Sequence, residues 1–82
     1  MSRDEVMTKV RQHLAAELEV DPKEIQEGTR FREDLDADSL DLYELVMELE
    51  DSYGIRMSEE EAARIETVGQ AVDFVLEHVP TP

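Results

Sequence analysis

The sequence predicts an all-α fold: a four-helix bundle of three longer helices and one short helix, with a long loop between helices 1 and 2. Apolar residues recur at helical spacing in four segments, and a residue typical of a helix start precedes each segment. No stretch alternates like a β-strand over a useful length. We expect one domain over residues 1–82, with helices at about 3–19, 39–53, 59–65 and 68–79.

The first helix ends at Asp21-Pro22, because the residue before a proline is pushed out of the α region. Its apolar stripe repeats every fourth residue, at Val6, Val10, Leu14 and Leu18. The loop over residues 26–38 has no helical period, and a loop this long in a small domain is usually functional or anchored. We expect its large apolar residues, Phe31 and Leu35, to pin it to the core.

The second helix starts at Ser39, with Asp38 as its N-cap and Gly54 as the expected stop. Its residues available for burial are Leu40, Leu42, Leu45, Val46, Leu49 and Tyr53. The last two helices start after Ser58 and Thr67, each followed three residues later by a capping partner. Their inward residues are Ala62 and Ile65 in the short helix and Val68, Val72, Val75 and Val79 in the last one. We expect residues 80–82 to form a frayed end.

The chain is strongly acidic, with a net charge of −14 and no Lys or Arg from Glu33 to Ile55. This charge argues against nucleic acid and anionic membranes as partners and favours basic patches on other proteins. Without cysteine, no disulfide or thiolate metal site can form, and no apolar run approaches the ~20 residues of a membrane span. The N-terminus lacks an apolar signal core. We expect a soluble, cytoplasmic protein and a monomer.

Two kinds of chemistry have little support. Asp34, Asp36 and Asp38 have the rhythm that opens an EF-hand, but Ser39 stands where Gly is needed and Leu45 where a bidentate Glu belongs. Ser39 also lacks the G-x-S-x-G elbow of hydrolases, and no histidine lies near it in the sequence. We predict no dedicated metal site and no catalytic residue, so the chain is not expected to be an enzyme. Loose binding of divalent cations by clustered carboxylates stays open.

Ser39 is instead a candidate for covalent modification. A serine at the first helical position points outward, beside backbone N–H groups without intrahelical partners and the positive end of the helix dipole. That setting suits an attached phosphate. The alternative interpretation is a plain helix cap, which is the commoner role of Asp followed by Ser at a helix start.

The run from Leu35 to Glu50, in which Asp38-Ser39-Leu40 is followed by Glu44-Leu-Val-Met47, resembles the acyl carrier proteins of fatty-acid and polyketide synthesis. The likeness covers nearly the whole chain. It implies that Ser39 bears 4'-phosphopantetheine, transferred from coenzyme A by a separate phosphopantetheinyl transferase (the holo-carrier synthase). The thiol of this arm would hold acyl intermediates as thioesters and present them to the acyl-transferring, condensing and reducing enzymes of fatty-acid synthesis.

The resemblance implies two further sets of residues. Basic patches of the partner enzymes would meet the acids Asp38, Asp41, Glu44, Glu50, Asp51 and Glu59. The acyl chain would fold back between the helices, into a cavity whose candidate lining residues are Met47, Leu49, Met57, Ala62 and Ile65. The alternative interpretations are a solvated acidic face for the first set and plain core for the second.

The sequence departs from the family pattern at a few positions. Asp36 stands where glycine is usual, Leu42 and Tyr43 where smaller residues are common, and Ser58 where proline is frequent. None of these changes Ser39 or its two neighbours, but they leave the identity of the partners open. A carrier of polyketide or aminoacyl intermediates and a non-carrier acidic helical adaptor are the alternative functions.

Overall fold

The computed structural model describes residues 2–79, which fold into α1 (Arg3–Leu18), α2 (Ser39–Tyr53), α3 (Glu59–Arg64) and α4 (Val68–His78), with a short 3-10 helix at Pro22–Glu24. The predicted all-α fold, with a long loop between the first two α-helices, is confirmed. No helix in this range is both long and apolar enough to cross a bilayer. The predicted frayed end, residues 80–82, lies outside the described residues.

Three helices end one residue earlier than the sequence indicated, and the backbone shows why. Glu19 enters the left-handed region with φ 56°, which closes α1 at Leu18. Ile65 is extended, so α3 stops at Arg64. Val79 is also extended, as expected of a residue that precedes a proline, and α4 stops before it.

The core is one cluster built mainly from α1 and α4, with α2 packed against α1. Its largest fully buried side chains are Phe31, Leu14, Ile25, Leu49, Val6, Val10, Val68, Val72 and Val75. The expectation that Leu40 is available for burial is wrong, because its side chain is 65% exposed. At 3.6 residues per turn, Leu40 lies about half a turn around the helix from the buried Leu49.

The long loop is bound to the start of α4 by backbone hydrogen bonds, which we call the loop strap. Its three bonds run from Val68 N–H to the Thr29 carbonyl (2.9 Å), from Gly69 N–H to the Glu27 carbonyl (2.8 Å) and from Phe31 N–H to the Glu66 carbonyl (3.0 Å). The first N–H groups of a helix have no intrahelical acceptor, and here the loop carbonyls supply two. The loop strap therefore completes α4 and holds the loop in place at once.

Three further features support the loop strap. Position 69 requires glycine, because a Cβ there would lie only 2.9 Å from the Glu27 carbonyl oxygen. Phe31 is 1% exposed and Leu35 is half-buried against the core, so the prediction that these residues pin the loop is confirmed. Arg3 adds ion pairs to Glu27 and Asp73, which are exposed and contribute little stability.

Candidate functional site at the start of α2

Ser39 is the first residue of α2 and is exposed. Asp38 caps the helix before it: one carboxylate oxygen of Asp38 accepts from the Asp41 N–H (3.0 Å), while the Asp41 carboxylate accepts from the Asp38 N–H (3.1 Å). This reciprocal box fixes the backbone on both sides of Ser39. The hydroxyl is consequently presented to solvent from a rigid position.

The residues before the cap connect Ser39 to the loop strap. Ala37 is buried, and its N–H donates to the carbonyl of Phe31 at 2.9 Å. Phe31 is itself bound through its N–H to Glu66, just ahead of α4. A continuous series of backbone bonds thus sets the position of the α2 start relative to α4.

Asp36 occupies the left-handed region, with φ 56°. A side chain there costs roughly 1–2 kcal/mol in general, although aspartate tolerates the conformation better than most residues. This conformation explains why glycine suits the position in the family pattern. Asp36 therefore introduces some backbone strain two residues before the cap, and it adds a negative charge near Ser39.

Arg32 approaches the Ser39 hydroxyl from the loop, and its Nη2 donates to Oγ at 3.2 Å. Both residues line a small cavity of about 100 Å³ whose other lining residues are Leu42, Tyr43, Val46, Glu59, Ala62 and Ala63. A second cavity of about 340 Å³ shares Arg32, Leu42, Ala62 and Ala63 with it and extends to Phe31 and Ile65. The Ser39 hydroxyl therefore lies at the mouth of a space between the loop, α2 and α3.

The five predicted cavity residues occupy different places. Ala62 lines both cavities, and Ile65 lines the larger one. Met47 is 61% exposed, Leu49 is 1% exposed within the core, and Met57 is half-buried in the loop before α3; none of these three lines either cavity.

Sequence reasoning did not assign Leu42 and Val46 to this space, although both line it. A signal for them was present. They follow Ser39 by three and seven residues, which places all three residues on one face of α2.

The six predicted partner acids fall into two groups. Four are already engaged within the fold: Asp38 and Asp41 in the cap, Glu44 against Glu17, and Glu50 as acceptor of the Met57 N–H at 2.9 Å. Asp51 and Glu59 are exposed and form no ion pair among residues 2–79. Helix α2 also exposes the side chains of Leu40, Tyr43 and Met47, so its outer surface is both acidic and apolar.

Comparison with known proteins identifies the family. A family model described as "Phosphopantetheine attachment site" matches residues 8–75. The acyl carrier protein of Rubrobacter xylanophilus is 50% identical over 78 residues, which cover 95% of this chain and 96% of that protein. The acyl carrier protein of Lactobacillus acidophilus is 44% identical over 78 residues, covering 95% of this chain and 98% of that protein. This chain belongs to the acyl carrier protein family.

Structural comparison agrees with the sequence matches. A solved structure of the acyl carrier protein from Enterococcus faecalis aligns with a TM-score of 0.81 at 38% identity, covering 94% of this chain and 98% of that one. The family, the carrier role and the 4'-phosphopantetheine cofactor predicted from the sequence are confirmed. As an acyl carrier protein, the chain is a carrier and not an enzyme.

The acidic surface of this carrier includes a close cluster between α1 and α2. Glu17, Asp41 and Glu44 each place a carboxylate oxygen within 4.8 Å of the others. A hydrogen bond with Glu44, desolvation, and the negative charges of Glu44 and Asp41 raise the pKa of Glu17 to about 7. When it is protonated, the Glu17 carboxyl group can donate a hydrogen bond to Glu44, which joins α1 to α2.

We expect the stability contributed by Glu17 to depend on pH. Its pKa of about 7 in the folded chain lies above the ordinary value of 4.5, so folding takes up a proton between these values. The contribution is therefore fully present below about pH 4.5 and lost as the pH rises through about 7. Urea unfolding at several pH values should show the wild type losing stability across this window relative to Glu17→Gln, which cannot ionise.

Carboxyl groups whose pKa is lowered affect stability in a different pH range. A hydrogen bond from Arg3 lowers the pKa of Glu27, and one from the Ser58 backbone lowers that of Glu61. Their contributions are lost only as the pH falls through the acid range. Glu24→Gln, which removes an exposed carboxylate outside the cluster, is the matched control and should retain the wild-type slope. Parallel pH profiles for the wild type and Glu17→Gln would contradict this interpretation.

Proposed function

We propose that Ser39 carries 4'-phosphopantetheine and that the chain, as a single domain over residues 1–82, holds acyl intermediates of fatty-acid synthesis on this arm as thioesters. The observation that carries the proposal is the exposed Ser39 hydroxyl at a doubly capped helix start, within the Asp-Ser-Leu motif and at the mouth of a cavity. A separate phosphopantetheinyl transferase attaches the arm from coenzyme A.

The residues around Ser39 fit this prosthetic group. The hydroxyl is accessible, and within residues 2–79 the N–H groups of Ser39 and Leu40 donate to no backbone carbonyl. Unpartnered N–H groups at a helix start favour an attached phosphate. The group supplies the thiol that acyl transfer requires and that a chain without cysteine lacks. Ser39 provides the point of attachment, and α2 provides its orientation.

The two cavities beside Ser39 are the proposed space for the acyl chain. Leu42, Val46, Ala62 and Ile65 give them apolar walls, which favour burial of hydrocarbon. Met47, Leu49 and Met57 line neither space. Their place in an acyl cavity remains a prediction that would require rearrangement of α2 or the loop before α3.

The outer surface of α2 is the proposed partner surface, together with Glu59 on α3. Holo-carrier synthase and the acyl-transferring, condensing and reducing enzymes would meet it with Arg and Lys. Opposite charge speeds such encounters, and exposed apolar side chains such as Tyr43 supply contact area. A monomer in the cytoplasm, free to visit each enzyme in turn, is the form in which we propose the carrier acts.

Attachment at Ser39 predicts a defined mass change. Incubation with coenzyme A and a phosphopantetheinyl transferase should add one phosphopantetheine to the wild type and none to Ser39→Ala, measured as intact mass. Ser52→Ala removes another exposed serine of α2 and should load like the wild type. Loading of Ser39→Ala would show that the arm is attached to another residue. If a transferase that loads a control carrier does not load the wild type, the alternative function, a non-carrier acidic adaptor, is favoured.

Recognition through charge predicts a kinetic effect. Asp51→Lys should lower the kcat/KM of loading on the order of threefold to tenfold at low salt, with a smaller difference at high salt. Asp51 is preferable to Glu50 because Glu50 also holds the backbone of Met57. Glu24→Lys makes the same charge change outside α2 and should load normally. Equal loading rates for Asp51→Lys and the wild type would show that Asp51 takes no part in recognition by the transferase.

A further inference from the structure

Arg32 retains unused hydrogen-bond donors beside Ser39. Its guanidinium contacts Ser39 Oγ and forms no ion pair with any carboxylate in the part of the chain that the structure describes. The two acids that follow it in sequence bind a different arginine: Glu33 and Asp34 pair with Arg30 at 2.6 Å and 3.7 Å. The guanidinium is thus left available at the mouth of the small cavity.

The charge around Ser39 makes this arginine unusual. Asp36, Asp38 and Asp41 lie within three residues of Ser39, and the next 23 residues after Arg32, from Glu33 to Ile55, contain no Lys or Arg. An anion bonded to Ser39 would be repelled by these carboxylates. Arg32 is the cation that contacts the attachment point and offsets this repulsion.

We propose that Arg32 binds the phosphate of the prosthetic group and so orients the arm over the small cavity. The inference rests on attachment at Ser39. The phosphate would be bonded to the oxygen atom that Arg32 already contacts at 3.2 Å, so it would lie within reach of the guanidinium. A guanidinium presents planar paired donors that match phosphate oxygens and stays charged at every physiological pH.

Arg32 is therefore a positioning residue for the arm. It lines the small cavity together with Ser39, Leu42 and Ala62, and it lines the larger cavity as well. A phosphate held by this side chain directs the root of the arm toward the apolar walls rather than along the acidic surface. Sequence reasoning gave Arg32 no role, because the arginines of this loop belong to no motif.

The test compares holo proteins by phosphorus-31 NMR. Wild type, Arg32→Gln and Arg56→Gln are loaded with coenzyme A and a phosphopantetheinyl transferase, and intact mass establishes one arm on each. Arg56 is an exposed arginine that lines neither cavity, so its variant matches the charge change. The phosphodiester resonance should move more in Arg32→Gln than in Arg56→Gln, and added NaCl should move the wild-type resonance toward that of Arg32→Gln.

Two further measurements complete the test. Arg32→Lys keeps the charge but loses the paired donors, and its phosphorus resonance should fall between those of the wild type and Arg32→Gln. The Nε–H resonance of Arg32 should shift between the apo and holo wild type. This measurement needs no variant, so it tests the contact between Arg32 and the phosphate even where a variant loads poorly.

The outcomes separate this inference from the function on which it rests. An unchanged phosphorus resonance in Arg32→Gln, an equal change in Arg56→Gln, or an Arg32 Nε–H resonance that is the same in apo and holo protein would overturn the role of Arg32. Attachment at Ser39 would stand in each case. Failure of the wild type to gain the arm would overturn both.

Discussion

The loop strap is the interaction on which the rest of this carrier depends. Three backbone bonds join the long loop to the start of α4, and Phe31 is buried beside them. Each bond contributes about 0.5–1.5 kcal/mol net and burial of the Phe side chain about 1.5–3 kcal/mol, against a typical total stability of about 5–15 kcal/mol. A small domain could not lose these contacts without freeing the segment that leads to Ser39.

The geometry of the proposed attachment site, Ser39, follows from the loop strap in short steps. The Phe31 carbonyl accepts a hydrogen bond from Ala37, which directly precedes the cap residue Asp38. The cap in turn fixes Ser39 at the first position of a rigid helix.

The negative charge around this site also has a cost. Two carboxylates of the proposed partner surface, Asp41 and Glu44, crowd Glu17 and raise its pKa, so recognition through this surface would cost the fold some stability.

Local features of the fold could be predicted from the sequence, and specific side-chain contacts between distant segments could not. The caps at Asp38, Ser58 and Thr67 depend on residues three apart, and all three form. The contact of Arg32 with Ser39 and that of Glu17 with Glu44 depend on how the loop and helices are placed in space. The motif identified Ser39 because a motif records neighbours in sequence, and for the same reason it gave no role to Arg32 or Glu17.

The most direct test of this account is native-state hydrogen exchange at the backbone amides of Phe31, Val68 and Gly69. If the loop strap holds the proposed attachment site in place, these amides should exchange slowly, with opening free energies close to those of core amides such as that of Val72. Exchange at Phe31, Val68 and Gly69 as fast as at the exposed Gly28 would show that the loop is not held, and would contradict the account.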